Sequence, residues 1–239
     1  LGFAVSGWDP LLKRVLHKNV HFAKSNADAA KDADIILSVN LSAASEAVAA
    51  EVLPVLNSSK IYAEMNTSSP QKKIAIEGML QSSGVQFADV AIMEPVPPKG
   101  IKTTFLVSGN GAAALQTFFA GYSLNIGVLS NKTGDASTRK LLRSIVYKGI
   151  AAVICEAMEA AKTFNLEDYM RGQISSVIGG NDALIDRFVE GSYTHAERRI
   201  HEMEAVVEML KDKDRGVIMV NAAKENLEKI LREKKAQAI

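Results

Sequence analysis

The pattern of apolar and polar positions changes character once along the chain. Up to residue 130, short apolar runs alternate with amphipathic stretches. Runs at 3–6, 35–39, 60–65, 85–92, 103–107 and 125–129 read as strands. The stretches at 11–16, 27–34, 43–56, 71–82 and 112–120 read as the helices between them. Ile35-Ile36-Leu37-Ser38-Val39 is a continuous apolar run, the pattern of a strand buried on both faces of a parallel sheet. After Gly134 only the helical period remains, over 135–164, 167–178, 181–190, 193–212 and 219–235. The pattern predicts an α/β Rossmann-type, doubly wound sheet followed by an all-α C-terminal domain. The boundary falls near residue 130, giving domains 1–130 and 131–239.

Composition narrows the function classes. The chain has 239 residues, 47% of them hydrophobic and 23% charged, and its net charge is +1. The charge is dispersed, so neither nucleic acid nor an anionic membrane is expected as a partner. Basic and acidic residues alternate over 224–235, as on a solvated amphipathic helix. Cys155 is the single cysteine and lies within an apolar helix, where a buried thiol suits a reducing cytoplasm. The chain opens on Leu1 with a strand already under way, so residues upstream are expected.

Candidate chemistry gathers at the carboxyl ends of the strands, where open α/β sheets bind ligands. Asp9 follows the first strand and is suited to a ribose diol, although Asp9-Pro10 also suits a plain turn. Asn40-Leu41-Ser42 and Asn66-Thr67 follow two later strands and offer uncharged hydrogen-bonding groups. Met93 to Gly100 holds three prolines in four residues, a stiff loop for shaping a pocket or for linking elements. Gly109-x-Gly111-x-x-Ala114 mimics a dinucleotide fingerprint. No acidic residue stands about 20 positions later at a strand end, so we read a plain strand-to-helix turn.

In the helix over 135–164, Gly134 and Asp135 read as a turn and cap. Its many apolar positions predict a central, largely buried helix. Lys140, Arg143, Ser144 and Tyr147 share one face, facing a cleft or forming a solvated basic edge. Lysine serves as a general acid or base where burial or neighbouring cations lower its pKa. His195, Arg198, Arg199 and His201 form a second polar cluster. No HExxH or other metal-ligand spacing occurs, and no metal is expected.

Four segments carry a resemblance: D-I-I-L-S-V-N at 34–40, Y-A-E-M-N-T-S-S-P at 62–70, D-V-A-I-M-E-P-V-P-P-K-G at 89–100 and G-D-A-S-T-R-K-L-L-R-S at 134–144. In this order they resemble the β-hydroxyacid dehydrogenase superfamily, which includes 6-phosphogluconate and 3-hydroxyisobutyrate dehydrogenases. The P-V-P-P-x-G loop, K-L-L-R-S and H-A-E-R-R-x-x-E-M-E are similar to a phosphogluconate-dehydrogenase-like bacterial branch with a distinctive C-terminal helical domain. The resemblance implies an NAD(P)-binding domain, a helical substrate domain, and Lys140 as general acid/base during hydride transfer. Ser144 stands where the family has an asparagine, and Met93-Glu94-Pro95 stands where it has an S-G-G substrate loop. The family's late lysine near the cofactor corresponds to Arg198 or Arg199.

The expected activity is an NAD(P)-dependent oxidoreductase of a small hydroxy acid or related alcohol. The alternative is a catalytically silent NAD(P)- or metabolite-binding protein. Lys140 and Ser144 are the expected catalytic pair. Asp9, Asn40, Leu41, Asn66, Thr67 and Arg199 would bind cofactor, and Met93, Glu94, Pro95, Arg143 and Tyr147 the substrate. Asp9 favours NAD(H) over NADP(H), because a carboxylate repels a 2′-phosphate; nearby Lys13 and Arg14 weaken that preference. The G-x-G-x-x-G fingerprint is expected before Leu1. The apolar excess of the long helix points to a homodimer.

Overall fold

The computed structural model describes residues 2–12, 18–211 and 217–236. Lys13, Arg14 and most of the helix expected at 11–16 lie outside them. The chain forms two compact units, Leu1–Lys140 and Leu141–Ile239.

The first unit is α/β. Strands β1 (Val5–Gly7) and β2 (Val20–Phe22) form a parallel pair. A five-stranded sheet follows, ordered β3 (Ile35–Ser38), β4 (Ile61–Glu64), β5 (Gln86–Ile92), β6 (Thr104–Ser108) and β7 (Asn125–Ser130). All neighbours in it are parallel except β5 and β6, which run antiparallel. Helices α1 (Asn26–Ala30), α2 (Ser45–Val52), α3 (Pro70–Leu80), α4 (Val96–Lys99) and α5 (Ala112–Phe118) connect the strands. Ser69 caps α3 by accepting from Lys72 N, and Pro70 opens its first turn, where a missing N–H costs nothing.

Alternation along β4 sends its side chains to two cores. Tyr62 joins Phe87, Ile76, Leu80 and Val52 on one face, while Ile61 and Ala63 join Val90, Val107 and Leu115 on the other. Covering both faces is why consecutive positions 61–63 of β4 are apolar. The same inference fails for 35–39. β3 ends the five-stranded order, and Leu37 is 52% and Val39 66% exposed. The strands also form two sheets among the described residues rather than one.

The glycines of the rejected fingerprint have a packing reason. Gly109 has φ +102°, and a Cβ on it would lie 2.7 Å from Phe87 O. Gly111 N donates to that same carbonyl at 2.8 Å, and Asn110 Oδ1 accepts from Phe87 N at 2.7 Å. The turn is built for close approach to β5.

Helix α6 (Asp135–Thr163) begins in the first unit and continues into the second. It is followed by α7 (Glu167–Val177), α8 (Asp182–Thr194), α9 (Ala196–Leu210) and α10 (Ile218–Ala236). Leu141, Met203, Val206, Val220 and Leu227 form one core of the helical unit, and Ala151, Ile154, Ile185 and Phe188 another. α6 is less buried than the central, largely buried helix expected. Leu142, Val146, Ile150 and Val153, spaced at one helical face, are exposed, Val146 at 62%. The apolar period correctly marks a helix, but it holds two apolar faces, of which only one meets α8 to α10.

Candidate functional site

At the carboxyl ends of β3 and β4 the two expected asparagines come together. Asn40 N donates to Asn66 Oδ1 at 2.7 Å, and Asn66 Nδ2 donates to Asn40 Oδ1 at 2.9 Å. Ser42 and Ser68 hydroxyls meet at 2.8 Å beside them. Leu41 projects an exposed side chain from this loop, and Thr67 is half-buried. Lys72, on the first turn of α3, reaches the same loop through Nζ to Ser42 O at 3.3 Å.

Beneath the asparagines lies a sealed ionic cluster that the sequence reading missed. Lys73, Glu64 and Asp89 are each fully buried. Lys73 Nζ pairs with Glu64 Oε2 and lies 3.4 Å from Asp89 Oδ1. Glu64 Oε1 accepts from Asn66 Nδ2, so the pair of asparagines is braced from below. A signal did exist. Lys73 precedes the buried Ile76 and Leu80 by three and seven residues, so it occupies a core position on α3.

Asp89 also corrects the expected start of α6. Its Oδ2 accepts from Gly134 N at 3.2 Å, Ser137 N at 3.1 Å, Ser137 Oγ at 3.0 Å and Ser108 Oγ at 3.2 Å. The capping carboxylate therefore comes from β5, where it meets the positive end of the helix dipole. Asp135 sits in the first turn instead and accepts from Ser130 Oγ at 2.7 Å. Gly134 is at φ +101°, a conformation glycine adopts without strain. Lys140, half-buried, follows on this anchored turn of α6.

The other expected residues of this unit bond to partners other than the asparagines. Asp9 Oδ1 accepts from Leu11 N at 2.8 Å, making the turn. Met93 N donates to Thr104 O at 3.0 Å, extending the β5–β6 ladder. Glu94 pairs with Lys99 at 2.7 Å across the single turn of α4, and Pro95 is exposed. A cavity of about 420 Å³ opens at the amino end of β5 between Ile74, Gln81, Phe87 and Asn110, away from the strand-end loops.

In the helical unit, Ser144 is 5% exposed. Its Oγ lies 3.4 Å from Glu202 Oε2 and 3.5 Å from Lys148 Nζ. Glu202 is buried and pairs with Lys148 through Oε2 and with Arg198 through Oε1. Burial pushes the Lys148 ammonium below its ordinary value, with Glu202 opposing that shift. Arg199 is also 5% exposed; its Nη1 donates to Ser192 Oγ at 2.7 Å and its Nε has no hydrogen-bond partner. Arg143 and Tyr147 do come together, with the guanidinium 5.5 Å from the ring centroid. Arg187, from α8, lies at 5.5 Å from the same ring and Lys148 at 5.7 Å. Arg187, Lys148 and Glu202 are further residues that the sequence reading left out.

Comparison with known proteins finds matches in both units. Residues 1–117 match the NAD binding domain of 6-phosphogluconate dehydrogenase, and residues 161–230 match a domain of unknown function, DUF1932. An uncharacterized 28.5 kDa protein of Methanothermus fervidus is 27% identical over 92% of this chain and 85% of its own. The solved structure of the conserved protein MTH1747, reported as similar to 3-hydroxyacid dehydrogenases, is 25% identical, with TM-score 0.66 over 92% of this chain and 82% of that one. The 3-hydroxyisobutyrate dehydrogenase (ygbJ) of Salmonella typhimurium, 18% identical, shares the fold with TM-score 0.68 over 87% of this chain and 78% of that one. Similarity to an NAD-binding domain thus covers the first 117 residues and similarity to DUF1932 covers 161–230, on a fold shared with MTH1747 and with the 3-hydroxyisobutyrate dehydrogenase.

Proposed function

We propose that the protein is an NAD(P)-dependent dehydrogenase or reductase of a small hydroxy acid or related alcohol. The observation that carries this reading is the braced Asn40–Asn66 pair at adjacent strand ends of an NAD-binding domain. These residues fit a dinucleotide. The asparagines and Thr67 supply neutral donors and acceptors for ribose or carboxamide, and the exposed Leu41 supplies an apolar surface. A Gly-rich pyrophosphate cradle is not among the described residues, since the glycines of 109–111 are spent on β5. Bound cofactor supplies the hydride chemistry.

The chain's own residues do the rest. Lys140 exchanges the proton of the reacting hydroxyl, and Ser144 hydrogen-bonds the substrate. Met93, Glu94, Pro95, Arg143 and Tyr147 shape the substrate side. Asp9, with one oxygen already fixing the following turn, favours NADH over NADPH. Arg199, buried in the helical unit, is the weakest of the cofactor assignments, and exposed Arg198 is the better placed of the two. Arg198 spends its charge on Glu202.

The test uses the protein with its natural upstream residues. Nicotinamide fluorescence reports NADH and NADPH binding, and a panel of hydroxy acids is screened for turnover. Lys140→Ala should lower turnover by about two to four orders of magnitude with cofactor affinity nearly unchanged. Equal loss of both would remove Lys140 from the chemistry, and no cofactor binding at all would sink the reading. The burial of Ser144 against Glu202 and Lys148 favours one rival, a protein that binds NAD(P) without turnover. Binding with no turnover across the panel would select it.

The exposed stripe Leu142, Val146, Ile150 and Val153 is our reason for proposing a homodimer through α6. Light scattering should give twice the chain mass, and Val146→Asp should return it to one.

A further inference from the structure

We infer that Arg143, Arg187 and Lys148, gathered around the Tyr147 ring, form an oxyanion-binding site that takes the carboxylate or phosphate of a small ligand. Each of the three cations lies within 5.7 Å of the same ring centroid. Like charges repel when brought together in partly dehydrated surroundings, so such a cluster calls for a counter-charge. Among the described residues, the carboxylate that pairs with this cluster is Glu202, and both of its oxygens are engaged, one by Lys148 and one by Arg198. Among the described residues, Arg143 and Arg187 form no ion pair. Arg199 is a further cation of the helical unit. Its guanidinium is buried with Nε lacking a hydrogen-bond partner, and burial lowers its hold on its proton, with Glu202 opposing that shift.

The arrangement is built and reachable. Tyr147 is half-buried and held edge-on by Phe188, with ring centroids 4.7 Å apart. Lys148 is fixed below by Glu202, while Arg143 and Arg187 are exposed and enter from two different helices. Guanidinium groups brought to one ring from α6 and α8 suit an oxygen pair or triad, which arginine meets in a bidentate fork. The ring shields one side of the cations from water without neutralising them. On the substrate side of the first unit, the acidic residue is Glu94, which Lys99 already engages. Charge recognition of an acid group thus falls to the helical unit. Naming the ligand a substrate rests on the dehydrogenase reading; the anion site itself does not.

The experiment is calorimetric titration of the whole protein, at low ionic strength, with inorganic phosphate and separately with malonate. Sodium chloride at matched ionic strength is the control. Saturable binding is expected, weakened about tenfold or more in Arg143→Gln/Arg187→Gln and unchanged in Lys132→Gln, a surface charge of the first unit. Arg187→Lys, which keeps the charge but loses the fork, should fall between and guards against a folding defect. Phosphate alone would identify a phosphate ligand, malonate alone a carboxylate, and both the shared oxyanion chemistry. Absence of saturable binding, or equal binding in the double variant, overturns the inference. Anion binding without NAD(P)H binding would keep this site and defeat the dehydrogenase reading. Turnover insensitive to Arg143 and Arg187, with no anion bound, would do the reverse.

Discussion

Each unit buries a lysine against a carboxylate, and the two clusters come out differently. In the first, Lys73 faces two carboxylates and none of the three touches solvent. The surplus is negative, and Glu64 Oε1 and Asp89 Oδ2 meet N–H and O–H groups from Asn66, Ser108, Gly134 and Ser137, while Asp89 Oδ1, among the described residues, has only the Lys73 ammonium at 3.4 Å. In the second, one carboxylate faces two cations, and further cations stand nearby at the surface. The surplus is positive, and among the described residues Arg143 and Arg187 have no ion-pair partner. A buried surplus satisfied by backbone and hydroxyl donors fixes structure. A half-open surplus without acceptors is available to something that binds.

The sharpest way to break this contrast is Lys73→Met. It leaves two carboxylates buried without their cation, and we expect a loss of about 3–5 kcal/mol in denaturant unfolding. A loss near zero would mean that donors alone hold the cluster, so that the two sites differ less than their geometry suggests. A smaller effect tests the second cluster through pH. The folded state holds Lys148 below 10.5, its ordinary value, chiefly because of burial. The unfolded chain therefore binds that proton more tightly. Stability should rise with pH across the window from the lowered value up to 10.5, and the cost of burying the charge is present in full below it. Urea melts between about pH 8 and 10 should show this rise in the parent and a flatter profile in Lys148→Met. An identical slope in both would place Lys148 in contact with water after all.

Much of the architecture was legible in the sequence, for reasons tied to particular residues. Ser69-Pro70 announces α3, and the consecutive apolar positions 61–63 of β4 reflect two covered faces. The asparagine pair was legible too, because strand ends in an α/β sheet converge. What stayed hidden depends on partners distant in sequence. Whether Leu37 is covered depends on strand order, which periodicity does not encode. The cap of α6 comes from Asp89, 45 residues before Gly134. Helical spacing puts Ser144 on a face with Lys140, but only α9, bringing Glu202, determines that the serine is buried. Arg187 joins Tyr147 from another helix, a meeting no local spacing predicts.

The borrowed cap has a consequence for how the chain assembles. A 29-residue helix whose first turn is closed by a side chain of its own neighbourhood is free to form as soon as it is synthesised. Here the first turn waits for Asp89 of β5 and Ser108 of β6, each of which must first find the other across an antiparallel pairing. The amino end of α6 is thus a late event, conditional on sheet assembly, whereas its later turns have only helical neighbours to await. One helix thus depends on two sets of partners, and Lys140, close behind its first turn, belongs with the set that the sheet supplies.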